Sequence, residues 1–279
     1  MDKYEEAHKL VIRPSGCRIV LTKRKEDGKH VVIKQIPCNF VDQDAITEEA
    51  KIIKSVPAHP YIIKYLGDFR TNGVYNMVME FANGGTLFSY VQKRITNDRI
   101  FTGSKSALQQ YYKSILKIFY QVAQALDHLH TNGIIHRDVQ PANIMLHNDN
   151  KEKKSLIKLI DFGCSTSKKY AQSDKGTLQF MAPEVIQNKP YSYKSDVYSL
   201  GCSLYFCVTG REPFQGRDAK PAVLFSMKQK WEQRPSQMLA QFQLPETVSL
   251  ILDETMNLDV GNRCDMNWVL NKLHDENVE

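Results

Sequence analysis

The chain has 279 residues, 42% of them hydrophobic and 24% charged, with a formal net charge of +6. That length allows one or two domains around a large core, and the balance argues against a disordered tail. Six scattered cysteines without a CxxC pair read as free thiols in a reducing compartment, no apolar run reaches the roughly 20 residues that span a bilayer, and no basic arm is present, so the expectation is a soluble, intracellular protein without a direct nucleic-acid site.

Three short apolar runs open the chain: Leu10-Val11-Ile12, Ile19-Val20-Leu21 and Val31-Val32-Ile33. With Asp27-Gly28 between the second and third, they predict three antiparallel strands. Lys34 ends the third run, and a strand lysine taken alone is an ordinary solvent-facing one. Ile46, Ile53 and Val56 recur at helical spacing around Glu48 and Glu49, so both carboxylates lie on a predicted helix. Between the first two strands, Arg13-Pro14-Ser15-Gly16-Cys17-Arg18 holds a single glycine.

Residues 74–82 read as one or two buried strands, and Asn83-Gly84-Gly85 breaks them. The polar segment 97–112 has no clear pattern and reads as an insertion between helices. Ile115, Phe119, Val122, Leu126 and Leu129 then mark an amphipathic helix, with Gly133 as its stop signal.

The stretch His136-Arg137-Asp138-Val139-Gln140-Pro141-Ala142-Asn143 sets an acid and an amide five positions apart, in a segment too polar and Pro-broken for helix or strand. Asp161-Phe162-Gly163 follows, then Ala182-Pro183-Glu184. Residues 196–208 are apolar nearly all round, which suits a buried helix, and Gly210, Pro213 and Gly216 break the chain after it.

In order and spacing these segments resemble the eukaryotic protein kinases of the serine/threonine type. The likeness covers roughly residues 8–275 and implies an α+β, bilobal fold. Residues 1–82 would form a small lobe, an antiparallel sheet with one helix; residues 83–279 would form a larger, mostly helical lobe. It also implies transfer of the ATP γ-phosphate to serine or threonine hydroxyls of protein substrates, with Mg²⁺.

By the same resemblance, Asp138 is the catalytic base, and Lys34 holds the nucleotide phosphates with Glu49, or Glu48, as its partner. Asn143 and Asp161 would be the metal ligands. Gly16, Val20, Val32, Met79, Glu80, Ala82 and Met145 would surround the nucleotide, Glu80 and Ala82 through backbone groups. Thr177 would bond Asp138, Asp196 would hold the catalytic loop, and Arg263 would be the buried partner of Glu184. Ser173 is where a regulatory phosphate would fall, to pair with Arg137; a loop ordered without phosphate is the other reading.

Two departures stand out. The glycine loop keeps only Gly16, with Arg13 or Arg18 as stand-in charges. Gln140 replaces a lysine that serine/threonine kinases direct at the γ-phosphate, which keeps a donor and loses the charge. A pseudokinase scaffold that binds nucleotide and turns over poorly is therefore the alternative. Two acids that basophilic kinases use to read substrate arginine are missing, at Ala142 and Phe206. The thin loop and Asn/Lys-rich turns look like baculoviral kinases; that likeness implies viral substrates, including basic DNA-packaging proteins, leaves a homodimer open, and places the chain in the host cytoplasm or nucleus.

Overall fold

A computed structural model describes residues 3–5, 8–12, 16–38, 43–149, 154–168, 176–214 and 233–275. Arg13, Ser173 and Gly216 fall outside the described residues.

Five strands form one antiparallel sheet: β1 (His8–Ile12), β2 (Arg18–Lys23), β3 (His30–Pro37), β4 (Tyr65–Thr71) and β5 (Val74–Glu80), in the order β1-β2-β3-β5-β4. The β2–β3 ladder pairs Ile19 with Lys34, Val20 with Ile33 and Leu21 with Val32. Residues directly opposite in an antiparallel pair share a face, and neighbours along a strand alternate. Ile19, Leu21, Val32 and Lys34 thus share one face. Val20, Val31, Ile33 and Val78 share the other, where they form a small cluster with Tyr4, Leu66 and Phe69 packed on it.

Helix α1 (Gln43–Ser55) lies against this sheet, burying Ile46, Ala50 and Ile53 at steps of three and four. Glu49 falls on that buried face and Glu48 is exposed.

Helix α2 (Leu87–Thr96) starts at Thr86, whose hydroxyl accepts from Ser89 N, and α3 (Lys105–Thr131) starts at Ser104, which accepts from Ala107 N. The expected insertion at 97–112 is therefore a loop followed by the first two turns of α3, a correction to the sequence reading. The apolar contact there comes from Ile100, Phe101 and Leu108 and from two tyrosines, whose hydroxyls hid the periodicity. Tyr111 and Tyr112 are buried and donate to the carbonyls of Cys207 (2.6 Å) and Phe242 (2.9 Å).

A 3-10 turn (Pro141–Asn143) leads into the two-stranded ladder β6 (Ile144–Asp149) and β7 (Lys154–Leu159). Among the described residues the remaining α-helices are α4 (Pro183–Ile186), α5 (Lys194–Thr209), α6 (Pro235–Met238), α7 (Glu246–Thr255) and α8 (Met266–His274). Fourteen of the sixteen residues of α5 are buried, so it is the central helix of this half. It meets α7 so closely that a Cβ on Gly201 would lie 2.3 Å from Thr255 Oγ1. No described helix is long and apolar enough to cross a membrane. The small sheet with one helix, joined to a mostly helical half, is the bilobal α+β architecture that the sequence implied.

Candidate active site

A cleft of about 310 Å³ runs between the sheet and the helical half, lined by side chains from β2, β3, β5, β6 and the segment after β7. Its chain crossing is residues 81–86. Gly84 N donates to Leu146 O (2.8 Å), and Leu146 N to Gly85 O (2.7 Å). A Cβ on Gly84 would sit 2.7 Å from that Leu146 carbonyl, so only glycine lets the two backbones come this close.

Val32, Met79, Ala82 and Met145 line the cleft, as does Glu80. The Glu80 carboxylate points behind β5, where Oε1 accepts from Lys64 N (2.7 Å) and pairs with Lys158 Nζ (2.8 Å). Two expected contacts lie elsewhere. Val20 is on the opposite face of the sheet, because the β2–β3 register puts Ile19, not Val20, opposite Lys34; Ile19 lines the cleft instead. Gly16 lies beside Pro37 in a groove with Gln35 and Asn76, outside the cleft lining. Ile63, Phe81 and Ile160 also line the cleft and were not picked out from the sequence.

Lys34 reaches across the cleft floor. Its Nζ lies 2.6 Å from Glu49 Oε1 and 3.1 Å from Asp161 Oδ1. Burial alone would push this ammonium toward neutrality, but the carboxylates of Asp161 and Glu49 outweigh it and raise its pKa. Lys34 thus stays charged, its head fixed between one helix and the segment after β7. Phe162 is buried and sets its ring edge-on to His136, with centroids 5.2 Å apart.

Four groups converge on Asp138. Oδ1 accepts from Thr177 N (2.9 Å), Thr177 Oγ1 (2.7 Å) and Gln140 Nε2 (3.0 Å). Oδ2 accepts from Asn143 Nδ2 (2.7 Å) and again from Gln140 Nε2 (3.1 Å). Asn143 Nδ2 also donates to Asp138 O (2.9 Å). With its amide nitrogen so engaged, Asn143 is left to offer a carbonyl oxygen. Asn143 and Asp161 together supply an amide and a carboxylate oxygen, a donor set that suits Mg²⁺ sharing its ligands with phosphates.

The loop carrying Asp138 hangs from Asp196, which is fully buried in α5. Its Oδ2 accepts from His136 N (2.9 Å) and its Oδ1 from Arg137 N (2.8 Å); His130 Nε2 lies 2.9 Å from Oδ2. Burial works to raise the Asp196 pKa, but the bond and charge of His130, with the His136 contacts, bring it below the usual carboxylate value. The Arg137 guanidinium bonds the carbonyls of Cys164 and Ser165 and the Tyr191 hydroxyl. Glu184 is held bidentately by Arg263, at 2.7 and 3.0 Å.

Comparison with known proteins bears on this constellation. Residues 15–274 match the model of the protein kinase domain. Among curated relatives, the chain is 33% identical over 237 residues to the serine/threonine-protein kinase nekl-2 of Caenorhabditis elegans, covering 81% of this chain and 63% of that protein. It is 32% identical over 276 residues to Nek8 of Danio rerio, covering 97% and 36%, and 34% identical over 232 residues to Nek5 of Homo sapiens, covering 80% and 30%. The chain thus spans between about a third and two thirds of the length of these relatives. With a family model matched over nearly its whole length, the chain belongs to the protein kinase domain family.

Proposed function

We propose that this chain is a serine/threonine protein kinase that transfers the γ-phosphoryl group of ATP to protein hydroxyls. The observation that carries the reading is the joining of Lys34, Glu49 and Asp161 in the cleft lining, and of Asp138, Asn143 and Thr177 in a second cluster tied to it where Ile160 N donates to Asn143 O (2.9 Å). Lys34 would hold phosphate oxygens, with Glu49 fixing its ammonium. Asp138 would orient the acceptor hydroxyl and take its proton as the new oxygen–phosphorus bond forms; the bond to the bridging oxygen breaks, and that electron pair leaves with ADP. Mg²⁺ held by Asn143 and Asp161 would neutralise charge building on the phosphates. The boundary between the lobes would fall at Ala82, and adenine would meet the backbone of Glu80 and Ala82.

Thr177, on the segment before Ala182-Pro183-Glu184, favours serine/threonine acceptors over tyrosine. Each relative named above is a serine/threonine-protein kinase by name. They are animal proteins, so the viral likeness and the DNA-packaging substrate draw no support from them. The scaffold reading draws none from the cleft, where the lysine, both carboxylates and the amide are in place. The test is phosphate incorporation from labelled ATP·Mg²⁺ into a mixed Ser/Thr/Tyr peptide array, with Asp138→Asn as control. Label in serine and threonine peptides only is the expected result. Label confined to tyrosine, or equal label with Asp138→Asn, refutes the assignment.

A further inference from the structure

Gln140 stands beside the acceptor site with a fixed number of donors. It precedes the 3-10 turn with extended backbone angles, and its carbonyl accepts from Asn143 N (2.9 Å), so the side chain leaves from a well-held position. A glutamine amide carries two N–H groups. Thr177 Oγ1 lies 2.7 Å from Asp138 Oδ1, and an ionised carboxylate only accepts, so the threonine proton is spent on Asp138. The same oxygen lies 2.5 Å from Gln140 Nε2 and must accept there, which uses one amide N–H. The other N–H is shared between Asp138 Oδ1 (3.0 Å) and Oδ2 (3.1 Å). No donor is left over. An ammonium at this place would bring three donors and a full charge, and two contacts of this kind would leave one N–H for a third group.

We propose that Gln140 is a positioning residue: it clamps Thr177, and with it the segment 176–181, to the catalytic carboxylate, and makes no contact with the phosphoryl group in flight. The inference rests on the kinase reading above and sharpens one part of it. Transfer then proceeds with no cation at position 140, which slows the chemical step until it, not ADP release, limits turnover. The bond changes are those already given: the proton goes to Asp138 and the electron pair leaves with ADP. Replacing Gln140 by lysine should keep the clamp and add the missing charge, a gain of function.

The experiment uses the full chain, a serine peptide, and the variants Gln140→Lys, Gln140→Met and Gln140→Ala. Turnover is measured with and without added viscogen and in single-turnover quench flow; hydrogen exchange is followed at the Thr177 amide, which donates to Asp138. The wild type should show no product burst and no viscosity effect on kcat. Gln140→Lys should speed single-turnover transfer about 10-fold, the rate equivalent of roughly 1.4 kcal/mol. Gln140→Met, close in shape but without donors, and Gln140→Ala should raise the peptide KM and deprotect the Thr177 amide, whereas Gln140→Lys keeps it protected. Unchanged Thr177 exchange in both donor-free variants overturns the clamp. A burst in the wild type, or no acceleration with lysine, overturns the account of the chemical step. A wild type that labels no peptide, yet loses Thr177 protection on Gln140→Met, keeps the clamp and removes the kinase reading.

Discussion

Arg263 offers the sharpest test of how the helical half is held. Its side chain is fully buried and each of its three guanidinium nitrogens donates at least once. Two nitrogens grip Glu184, Nε donates to Asn257 O (2.9 Å), Nη1 also reaches Lys194 O (2.9 Å), and the guanidinium lies 5.0 Å from the Tyr198 ring centroid. Arg263→Ala leaves the Glu184 carboxylate, only 8% exposed, without its cation. Breaking a buried pair from one side costs about 3–5 kcal/mol. For a chain of this size about 2 °C is lost per kcal/mol, so the melting temperature should fall by roughly 6–10 °C. Replacing both partners by apolar residues, Glu184→Leu with Arg263→Met, should recover part of the loss, because no lone charge remains. Calorimetry on the wild type, the single and the double variant decides it. A drop under about 1 °C for Arg263→Ala, or a double variant worse than the single one, refutes the argument, since either result means that the geometry does not carry the energy.

Other expectations follow from single contacts. Lys34→Met leaves Glu49 and Asp161 facing each other without an ammonium; phosphate incorporation should fall by about 100-fold with a smaller change in nucleotide affinity, read by single-turnover kinetics and calorimetric titration. Ile19→Ala should raise the KM for ATP with little loss of stability, whereas Val20→Ala should cost about 2 kcal/mol in urea unfolding and leave that KM alone. Burial, with His128 and Lys158 nearby, brings the His59 pKa down to about 4. The unfolded chain binds that proton near pH 6.5, so between pH 6.5 and 4 it holds more protons than the folded one. Stability from this group is therefore present above pH 6.5 and is lost as pH falls toward 4. The melting temperature of the wild type should drop more than that of His59→Asn between pH 7 and 4.5; parallel curves refute this.

The candidate-site segments could be read from the chain because each is a short run of unlike residue types at fixed spacing. Their partners were harder to read. Whether Glu48 or Glu49 meets Lys34 turns on which falls on the buried stripe of α1, and the positions of Ile46, Ala50 and Ile53 contain that information. The exchange of Val20 for Ile19 is different in kind. An apolar run such as Ile19-Val20-Leu21 is compatible with either face, and the choice is made by the β2–β3 register, set by the connection of residues 24–29. A slip of one residue reverses every side chain, and nothing within the run reports it. The first turns of α3 escaped for another reason. Beside Leu108, their contacts with the core are made by Tyr111 and Tyr112, whose hydroxyls bond carbonyl acceptors almost 100 residues or more away, at Cys207 and Phe242. A pattern of apolar residues cannot register such partners.

The catalytic loop also shows why the scaffold around it must be stiff. Arg137 and Asp161 both sit at φ +67°, a left-handed conformation that a residue with a Cβ adopts at a cost of about 1–3 kcal/mol each. Neither would hold that shape unaided. For Arg137 the restraint is Asp196, whose two oxygens accept the His136 and Arg137 amides at 2.9 and 2.8 Å. Bonds to a charged acceptor contribute about 1.5–3 kcal/mol each, enough to offset the strain. For Asp161 it is the ammonium of Lys34, itself anchored by Glu49. Asp196 belongs to α5, buried over nearly its whole length, and Glu49 belongs to α1 on the sheet. The two strained turns, both in the helical half, are thus secured from opposite halves of the molecule. A shift of α1 away from the sheet would take Glu49 from Lys34 while leaving the hold of Asp196 on the loop of Asp138 in place, so the two ends of the site are held by separate restraints.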